Sequence, residues 1–159
     1  IIPLLLDLGY RVLIAAGGQK DVLCDMPLSK NVVTSTYAPL HKLFSHASLV
    51  ISHGGQMTVF EALQNKIPVI VMPFQPEQAH NGVCLERIGC GSRLVPSRPF
   101  QGNPSVYIDA LPSMTDDEIK SKISSLVENP DTPKRLEEIK KVMDRYEGVQ
   151  KLVTMIEAA

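Results

Sequence analysis

A histidine and two glycines stand where a short apolar run gives way to a helical pattern. The run Leu49-Val50-Ile51 has the length of a β-strand, and His53, Gly54 and Gly55 follow it closely. Backbone N–H groups at the start of a helix carry a partial positive charge of roughly half an electron, and glycine lets a phosphate approach the backbone. This turn therefore predicts a phosphate site. A plain tight turn with a polar histidine explains the same residues equally well.

Further polar side chains lie along the helix that opens here. Gln56 begins it, Thr58 lies in its first turn, and Glu61 follows one turn later. A hydroxyl at Thr58 could bind phosphate, and a carboxylate at Glu61 suits the two neighbouring hydroxyls of a ribose. Glu61 could equally be a solvated helix residue. The buried stripe of this helix is predicted to contain four apolar residues: Val59, Phe60, Ala62 and Leu63.

A second polar cluster follows the next apolar run, from Ile67 to Met72. Pro76 opens a helix there, with Glu77 and Gln78 in its first turn. Carboxylate and amide groups suit the hydroxyls of a sugar. Acidic residues are also common at helix N-termini because they complement the helix dipole, and this second interpretation is favoured when the pair is taken alone. Tyr37, at the exit of an earlier strand, could stack on a base, but a packed tyrosine explains it better by itself.

Neighbouring strands are needed to bring these clusters together. Residues 48–91 read as strand, helix, strand and helix, closed by Gly89 and Gly91, and Arg93-Leu94-Val95 reads as the next strand. Short connections in this order indicate parallel strands with right-handed crossovers. Ligands bind beyond the carboxyl ends of such strands. The sequence therefore predicts an α/β fold, a Rossmann-like parallel sheet flanked by helices, with a polar site at one rim.

The rest of the chain supplies further elements around this region. A helix is predicted to end at Gly9, strands to cover 11–16 and 32–35, and a short helix to cover 40–47. Thr115 begins a capping box whose helix buries Ile119, Ile123 and Leu126. The next helix places four residues on one face: Leu136, Ile139, Met143 and Tyr146. We predict one domain over 1–159, with the sheet and site in 1–95, a proline-rich loop in 96–114 and a helical tail in 115–159.

Composition excludes several classes of protein. The 159 residues are 44% hydrophobic and 21% charged, as in one ordinary domain. The net charge of −1 gives no large positive potential that would favour binding of nucleic acid. No apolar run approaches the ~20 residues that span a bilayer. Cys24, Cys84 and Cys90 have no CxxC spacing, so we expect reduced thiols in a cytoplasmic protein. The histidines show no zinc-ligand pattern, and we predict no metal.

The combined pattern resembles the nucleotide-sugar binding region of family 1 glycosyltransferases, the GT-B enzymes that use UDP- or dTDP-sugars. Their pattern has three parts: aromatic-x-Pro-Gln, then His-x-Gly-x-x-Ser/Thr-x-x-Glu, then Pro followed by an acid-Gln pair with Asn three residues later. The chain matches these parts in order: Tyr37-Ala38-Pro39; His53, Gly55, Thr58 and Glu61; and Pro73, Glu77, Gln78 and Asn81. It departs at Leu40, where the family has glutamine, and at Met57, where the family has a smaller residue or asparagine.

The resemblance implies a role for each matched residue. Tyr37 and the backbone of Ala38 would bind the base, and Glu61 the ribose. The turn from His53 to Thr58 would bind the diphosphate, and Glu77 with Gln78 the sugar hydroxyls. The implied reaction is inverting transfer of a hexose-type sugar to an acceptor hydroxyl, with no cofactor and no obligatory metal. His53 would stabilise negative charge on the leaving diphosphate.

The resemblance also implies missing parts. Family members carry their general base in an N-terminal acceptor-binding domain, which these residues do not contain, and the first strand of the donor domain also looks absent. We therefore predict the C-terminal half of a glycosyltransferase, inactive alone, acting with that domain on a small-molecule or lipid acceptor. Two alternatives are a non-catalytic donor-binding subunit that needs a separate acceptor-domain protein, and a fragment of a sugar-nucleotide 2-epimerase. The acid-Gln pair disfavours the epimerase.

Overall fold

The computed structural model of the protein describes four stretches of the chain: residues 1–17, 29–95, 113–146 and 148–158. Within the last stretch, the side chains of Val149, Gln150 and Leu152 are not described. Two sequence predictions lie outside the described residues. They are the reduced thiol at Cys24 and the proline-rich loop over residues 96–112.

Short strands alternate with helices in the described residues. The strands are β1 Val12–Ala15, β2 Val32–Ser35, β3 Val50–Ser52, β4 Val69–Val71 and β5 Gly91–Arg93. The helices that precede β5 are α1 Ile2–Asp7, α2 Leu40–Leu43, α3 Gln56–Gln64 and α4 Pro76–Ile88. A 3-10 turn, Phe44–His46, continues α2. The helices of the tail are α5 Asp116–Val127, α6 Thr132–Asp144 and α7 Gly148–Glu157.

Every described strand pair is parallel, which confirms the predicted α/β class. β1 pairs with β2, and β4 lies between β3 and β5. The register aligns Ser52, Val71 and Arg93, so β3, β4 and β5 end at the same edge. Within the described residues no ladder of hydrogen bonds joins β1–β2 to β3–β4–β5, so the strands form two sheets where the sequence predicted one. The absence of the first strand of the donor domain stays a prediction.

The central strand β4 is buried on both faces. Val69 and Val71 point into one apolar cluster, which also contains Leu136 of α6. Ile70 points into a second cluster with Ile123 of α5. All three residues of β4 are fully buried, as expected for a parallel strand with helices packed on each side. An apolar cluster on each face of β4 therefore supports the edge at which β3, β4 and β5 end.

Three of the predicted helix caps are confirmed, at Thr115, Gly89 and Gly9. Thr115 Oγ1 accepts the Glu118 backbone N–H at 3.2 Å, and Glu118 Oε2 accepts the Thr115 N–H at 2.8 Å, which completes the capping box. Gly89 ends α4 at φ +68°, and Gly9 follows α1 at φ +83°. Only glycine adopts this left-handed region at little cost, so both residues stop a helix.

Two predicted faces and one predicted strand boundary are wrong. Phe60 is 48% exposed, because it lies about 100° around α3 from Val59, outside the stripe that meets the core. Tyr146 is 80% exposed, since α6 ends at Asp144 before reaching it. β5 begins at Gly91, which pairs with Val69. A Cβ on Gly91 would lie 2.5 Å from the Val69 carbonyl oxygen, so this glycine permits close strand pairing and is not part of the helix stop.

The last helix of the tail, α7, carries exposed apolar side chains. Its Val153, Met155 and Ile156 are exposed at 38%, 72% and 66%. None of the helices in the described stretches combines the length and the apolar character that crossing a bilayer requires.

Candidate functional site

The turn after β3 is built around Gly54. This residue is buried at φ +87°, and its N–H donates to Ser52 Oγ at 3.1 Å. A Cβ at this position would lie 2.6 Å from Val71 Cγ1, at the end of the neighbouring strand. Glycine is required here for both the backbone conformation and the close approach. The turn is therefore fixed against the carboxyl end of β4.

His53 lies over the start of α3. Gly55 is the N-cap residue of that helix, and no side chain caps it. A Cβ on Gly55 would lie 2.5 Å from His53 Nε2, so the exposed imidazole covers the Gly55 Cα. The N–H groups in the first turn of a helix have no partner within that helix. The imidazole and these N–H groups together form a place where an anion can bind.

The predicted polar residues of α3 lie next to this turn. Gln56 is exposed at the start of the helix, and Thr58 is half-buried in its first turn. Glu61 is also half-buried, three residues beyond Thr58. Residues at this spacing share a helix face. The structure thus brings the hydroxyl and the carboxylate to one side of α3, as the sequence predicted.

The second cluster lies at the start of α4, after β4. Glu77 is exposed, whereas Gln78 is only 9% exposed. Gln78 Oε1 accepts the Phe74 backbone N–H at 2.9 Å. Because a backbone N–H can only donate, the bound atom of the amide is its oxygen, and Nε2 keeps two protons to donate. Gln78 therefore holds the loop before α4 and still has donors to offer.

Asn81 joins the two clusters. Its Nδ2 donates to the Gly54 carbonyl oxygen at 2.9 Å and lies 3.3 Å from Glu77 Oε1. Asn81 matches the asparagine of the family pattern, but the resemblance implied no role for this residue. The only sequence signal for the contact with Glu77 is the spacing of four residues along one helix.

The other end of α4 is fixed by an ion pair that sequence reasoning did not find. Glu86 accepts from the Arg93 guanidinium at 2.9 and 3.0 Å and from the Arg93 backbone N–H at 2.9 Å. The Arg93 side chain passes directly over Gly82, which has no side chain to obstruct it. These contacts attach α4 to the carboxyl end of β5 and so fix the helix that carries Glu77, Gln78 and Asn81.

Tyr37 and Ala38 lie beyond β2, in the other sheet. The Tyr37 side chain is 79% exposed, so the interpretation of Tyr37 as a packed residue is wrong. Its carbonyl oxygen accepts the Ser35 hydroxyl at 2.6 Å, and Ala38 is half-buried. The structure therefore leaves the aromatic ring available for stacking, but no described contact joins it to the His53 turn. In the described stretches no group of three or more His, Cys, Asp or Glu side chains could hold a metal ion.

The model of the family described as "Glycosyltransferase family 28 C-terminal domain" matches residues 5–96. The chain belongs to this family. The match covers the strands, the His53 turn and the start of α4. Together with structural neighbours of the GT-B fold, it confirms the resemblance as that of a C-terminal domain of a family 1-like glycosyltransferase.

Relatives and solved structures agree with this assignment. Demethyllactenocin mycarosyltransferase of Streptomyces fradiae is 27% identical over 120 residues, which are 76% of this chain and 26% of that protein. The glycotransferase of kitacinnamycin has a TM-score of 0.81 at 18% identity, over 99% of this chain and 37% of that one. The glycosyltransferase VinC, solved in complex with dTDP, has a TM-score of 0.74 at 19% identity, over 99% of this chain and 37% of that one. This chain thus spans only 26% to 37% of the length of these proteins.

Proposed function

We propose that this domain binds the nucleotide-diphospho-sugar donor of an inverting glycosyltransferase, which transfers a hexose-type sugar from a UDP- or dTDP-sugar to an acceptor hydroxyl. The observation that carries the proposal is the link through Asn81 between the turn after β3 and the start of α4. Two clusters suited to different parts of one ligand are thereby held at neighbouring strand ends. Membership of a glycosyltransferase family and the dTDP complex of VinC support the same class of donor.

In this proposal the diphosphate binds at the start of α3. The N–H groups of the first helical turn and the Thr58 hydroxyl donate to phosphate oxygens, and the His53 imidazole lies beside them. During transfer, the acceptor oxygen attacks the anomeric carbon from the face opposite the diphosphate, and the bond from that carbon to the diphosphate oxygen breaks. Negative charge develops on the leaving diphosphate. Fixed donors at this position stabilise that charge and lower the barrier.

The remaining residues bind the rest of the donor. Glu61 accepts from the ribose hydroxyls, and the exposed ring of Tyr37 stacks on the base with the Ala38 backbone beside it. Glu77 accepts from hydroxyls of the sugar, and Gln78 donates to them through Nε2. A carboxylate and an amide together can pair with hydroxyl groups as acceptor and donor, which suits a polyhydroxylated sugar.

We assign the general base to an acceptor-binding domain that would act with this one. His53 lies on the phosphate side, and His80 contacts Cys84, with His80 Nε2 3.6 Å from Cys84 Sγ. His41 and His46 lie on α2 and the 3-10 turn that follows it. We therefore expect the chain alone to bind the donor without transferring its sugar at a useful rate, since general-base catalysis contributes roughly 10²–10⁴-fold.

Calorimetric titration of the chain with UDP, dTDP, GDP, uridine and thymidine tests the proposal. UDP or dTDP should bind at least about 10-fold more tightly than its own nucleoside, since each hydrogen bond to a charged group contributes about 1.5–3 kcal/mol. Equal affinity for the nucleotide and its nucleoside would contradict a diphosphate site. If GDP bound most tightly, the proposal that the donor contains uracil or thymine would be contradicted.

A further inference from the structure

The Asn81 side chain makes contact with both halves of the proposed donor site. Its amide nitrogen carries two protons. One acceptor is the carbonyl oxygen of Gly54 at 2.9 Å, and the other is Oε1 of Glu77 at 3.3 Å. Gly54 belongs to the turn after β3, and Glu77 to the first turn of α4. One amide therefore connects the residues proposed for the diphosphate with a residue proposed for the sugar.

The two acceptors differ in how firmly the rest of the protein holds them. Gly54 is buried against Val71, and a Cβ there would also lie 3.1 Å from the Gln78 carbonyl oxygen. Glu77 is exposed, and among the described residues its carboxylate has one hydrogen-bond partner, Asn81 Nδ2. Asn81 itself is half-buried on a helix that Glu86 and Arg93 attach to β5. The Asn81 amide thus orients an exposed carboxylate relative to a buried turn.

We propose that Asn81 is a positioning residue that couples recognition of the sugar by Glu77 to the diphosphate turn at Gly54. The proposal rests on the proposed function, because it assigns the sugar to Glu77 and the diphosphate to the turn. Removal of the amide releases the Glu77 carboxylate and loosens the turn. The affinity for the nucleotide alone then falls slightly. The gain in affinity from the attached sugar falls to the gain that remains when Glu77 is replaced by alanine.

The first experiment compares affinities for UDP and UDP-glucose, and for dTDP and dTDP-glucose, in Asn81→Ala, Glu77→Ala and the double variant. Asn81→Ala should weaken nucleotide binding about 5-fold, the effect of one hydrogen bond. The ratio of sugar-nucleotide affinity to nucleotide affinity should fall to that of Glu77→Ala, and the double variant should lower it no further. Independent, additive losses in this ratio would overturn the coupling.

Thr132→Val is the matched control, since Thr132 Oγ1 also donates to a backbone carbonyl, that of Leu126, at 2.9 Å. It should lose comparable stability without any change in the ratio. If Asn81→Ala does not fold, Asn81→Asp preserves the size of the side chain but presents oxygen atoms to both acceptors. It should lower the ratio at least as far, and an unchanged ratio would overturn the proposal.

A ligand-free measurement separates this proposal from the proposed function. In the NMR spectrum, Asn81→Ala or Asn81→Asp should shift the Gly55 amide resonance, whose peptide group contains the Gly54 carbonyl, and the carboxyl carbon resonance of Glu77. Thr132→Val should shift neither. Absence of both shifts would overturn the positioning role whatever the protein binds. If the wild-type chain binds no nucleotide while the Asn81 variants show both shifts, only the proposed function is refuted.

Discussion

Gln78 Oε1 accepts the backbone N–H of Phe74 at 2.9 Å, so a residue predicted to recognise the sugar also holds its own loop. The side chain is almost fully buried. Loss of Gln78 would therefore leave the Phe74 N–H without its acceptor, in addition to any effect on a ligand. A simple alanine substitution cannot separate these two roles, but a substitution that keeps the oxygen can.

We expect Gln78→Ala to lower the free energy of unfolding by about 0.5–1.5 kcal/mol, the usual net contribution of one hydrogen bond, because the Phe74 N–H is only partly buried. Gln78→Glu keeps an acceptor for Phe74 and should retain more of the stability. It removes both donors of Nε2, so it should weaken UDP-sugar binding while leaving UDP binding nearly unchanged. Urea denaturation measures the first quantity, and calorimetry the second. Parallel loss of UDP and UDP-sugar affinity in a fully folded Gln78→Glu protein would show that Gln78 binds the nucleotide.

The two glycines of the turn should respond differently to alanine. In Gly54→Ala, the new methyl group meets Val71 and the residue must keep φ +87°. We expect a loss of several kcal/mol in the free energy of unfolding, because overpacking costs about 1–3 kcal/mol and an unfavourable φ adds to it. In Gly55→Ala, φ is an ordinary −61°, and the three atoms nearest to the new methyl group all belong to the His53 imidazole, which is an exposed side chain.

Gly55→Ala should therefore keep near wild-type stability and displace the imidazole from the helix start. Its affinity for UDP should fall, while that for uridine stays unchanged. Thermal unfolding and calorimetry on the two variants provide the comparison. Equal destabilisation by both substitutions would show that the turn is not held as described.

Cys90 should make stability depend on pH in the alkaline range. Its side chain is fully buried, and burial raises the pKa of Cys90 to about 11 from an ordinary value of 9.0, with nearby Arg135 acting in the opposite direction and Glu138 adding a little. The unfolded thiol then loses its proton at a lower pH than the folded one. The stabilisation is complete below pH 9, and it should decline as the pH rises from about 9 to 11.

Urea denaturation between pH 8 and 11 measures this dependence. The pKa of Tyr10 is also raised by burial, with a further contribution from Glu128, so some decline at high pH should remain without the thiol. Cys90→Ala, which leaves a small apolar side chain, should show a shallower decline than the wild type. Identical slopes for the two proteins would mean that Cys90 is accessible to water in the folded state.

Local patterns predicted most of the fold. The run around Val69 to Val71 is apolar at every position, as a strand buried on both faces must be, and Gly89 stops a helix through its own backbone. Phe60 was misplaced because apolar character alone does not define which side of a helix meets the core. Gly91 was assigned to the helix stop because its close approach to Val69 depends on a strand 22 residues earlier in the chain.

The candidate site was predicted as a set of residues but not as a network. The types and spacing of His53, Gly55 and Glu77 were visible in the sequence. The bond from Asn81 to Gly54 spans 27 positions, and no local pattern indicates it. The structural role of Gln78 was missed because its partner is a backbone N–H, which every residue except proline offers. Exposure of Tyr37 likewise depends on which elements surround it.

One substitution at His53 tests most directly whether the turn after β3 binds a diphosphate. His53→Ala removes the imidazole that covers Gly55, and His46→Ala, at an exposed histidine of the 3-10 turn, is the matched control. The affinity for UDP or dTDP should fall by about 5- to 150-fold in His53→Ala, equivalent to about 1–3 kcal/mol. The affinity for uridine or thymidine should not change, and His46→Ala should match the wild type. Undiminished UDP and dTDP binding by a folded His53→Ala protein would contradict the account.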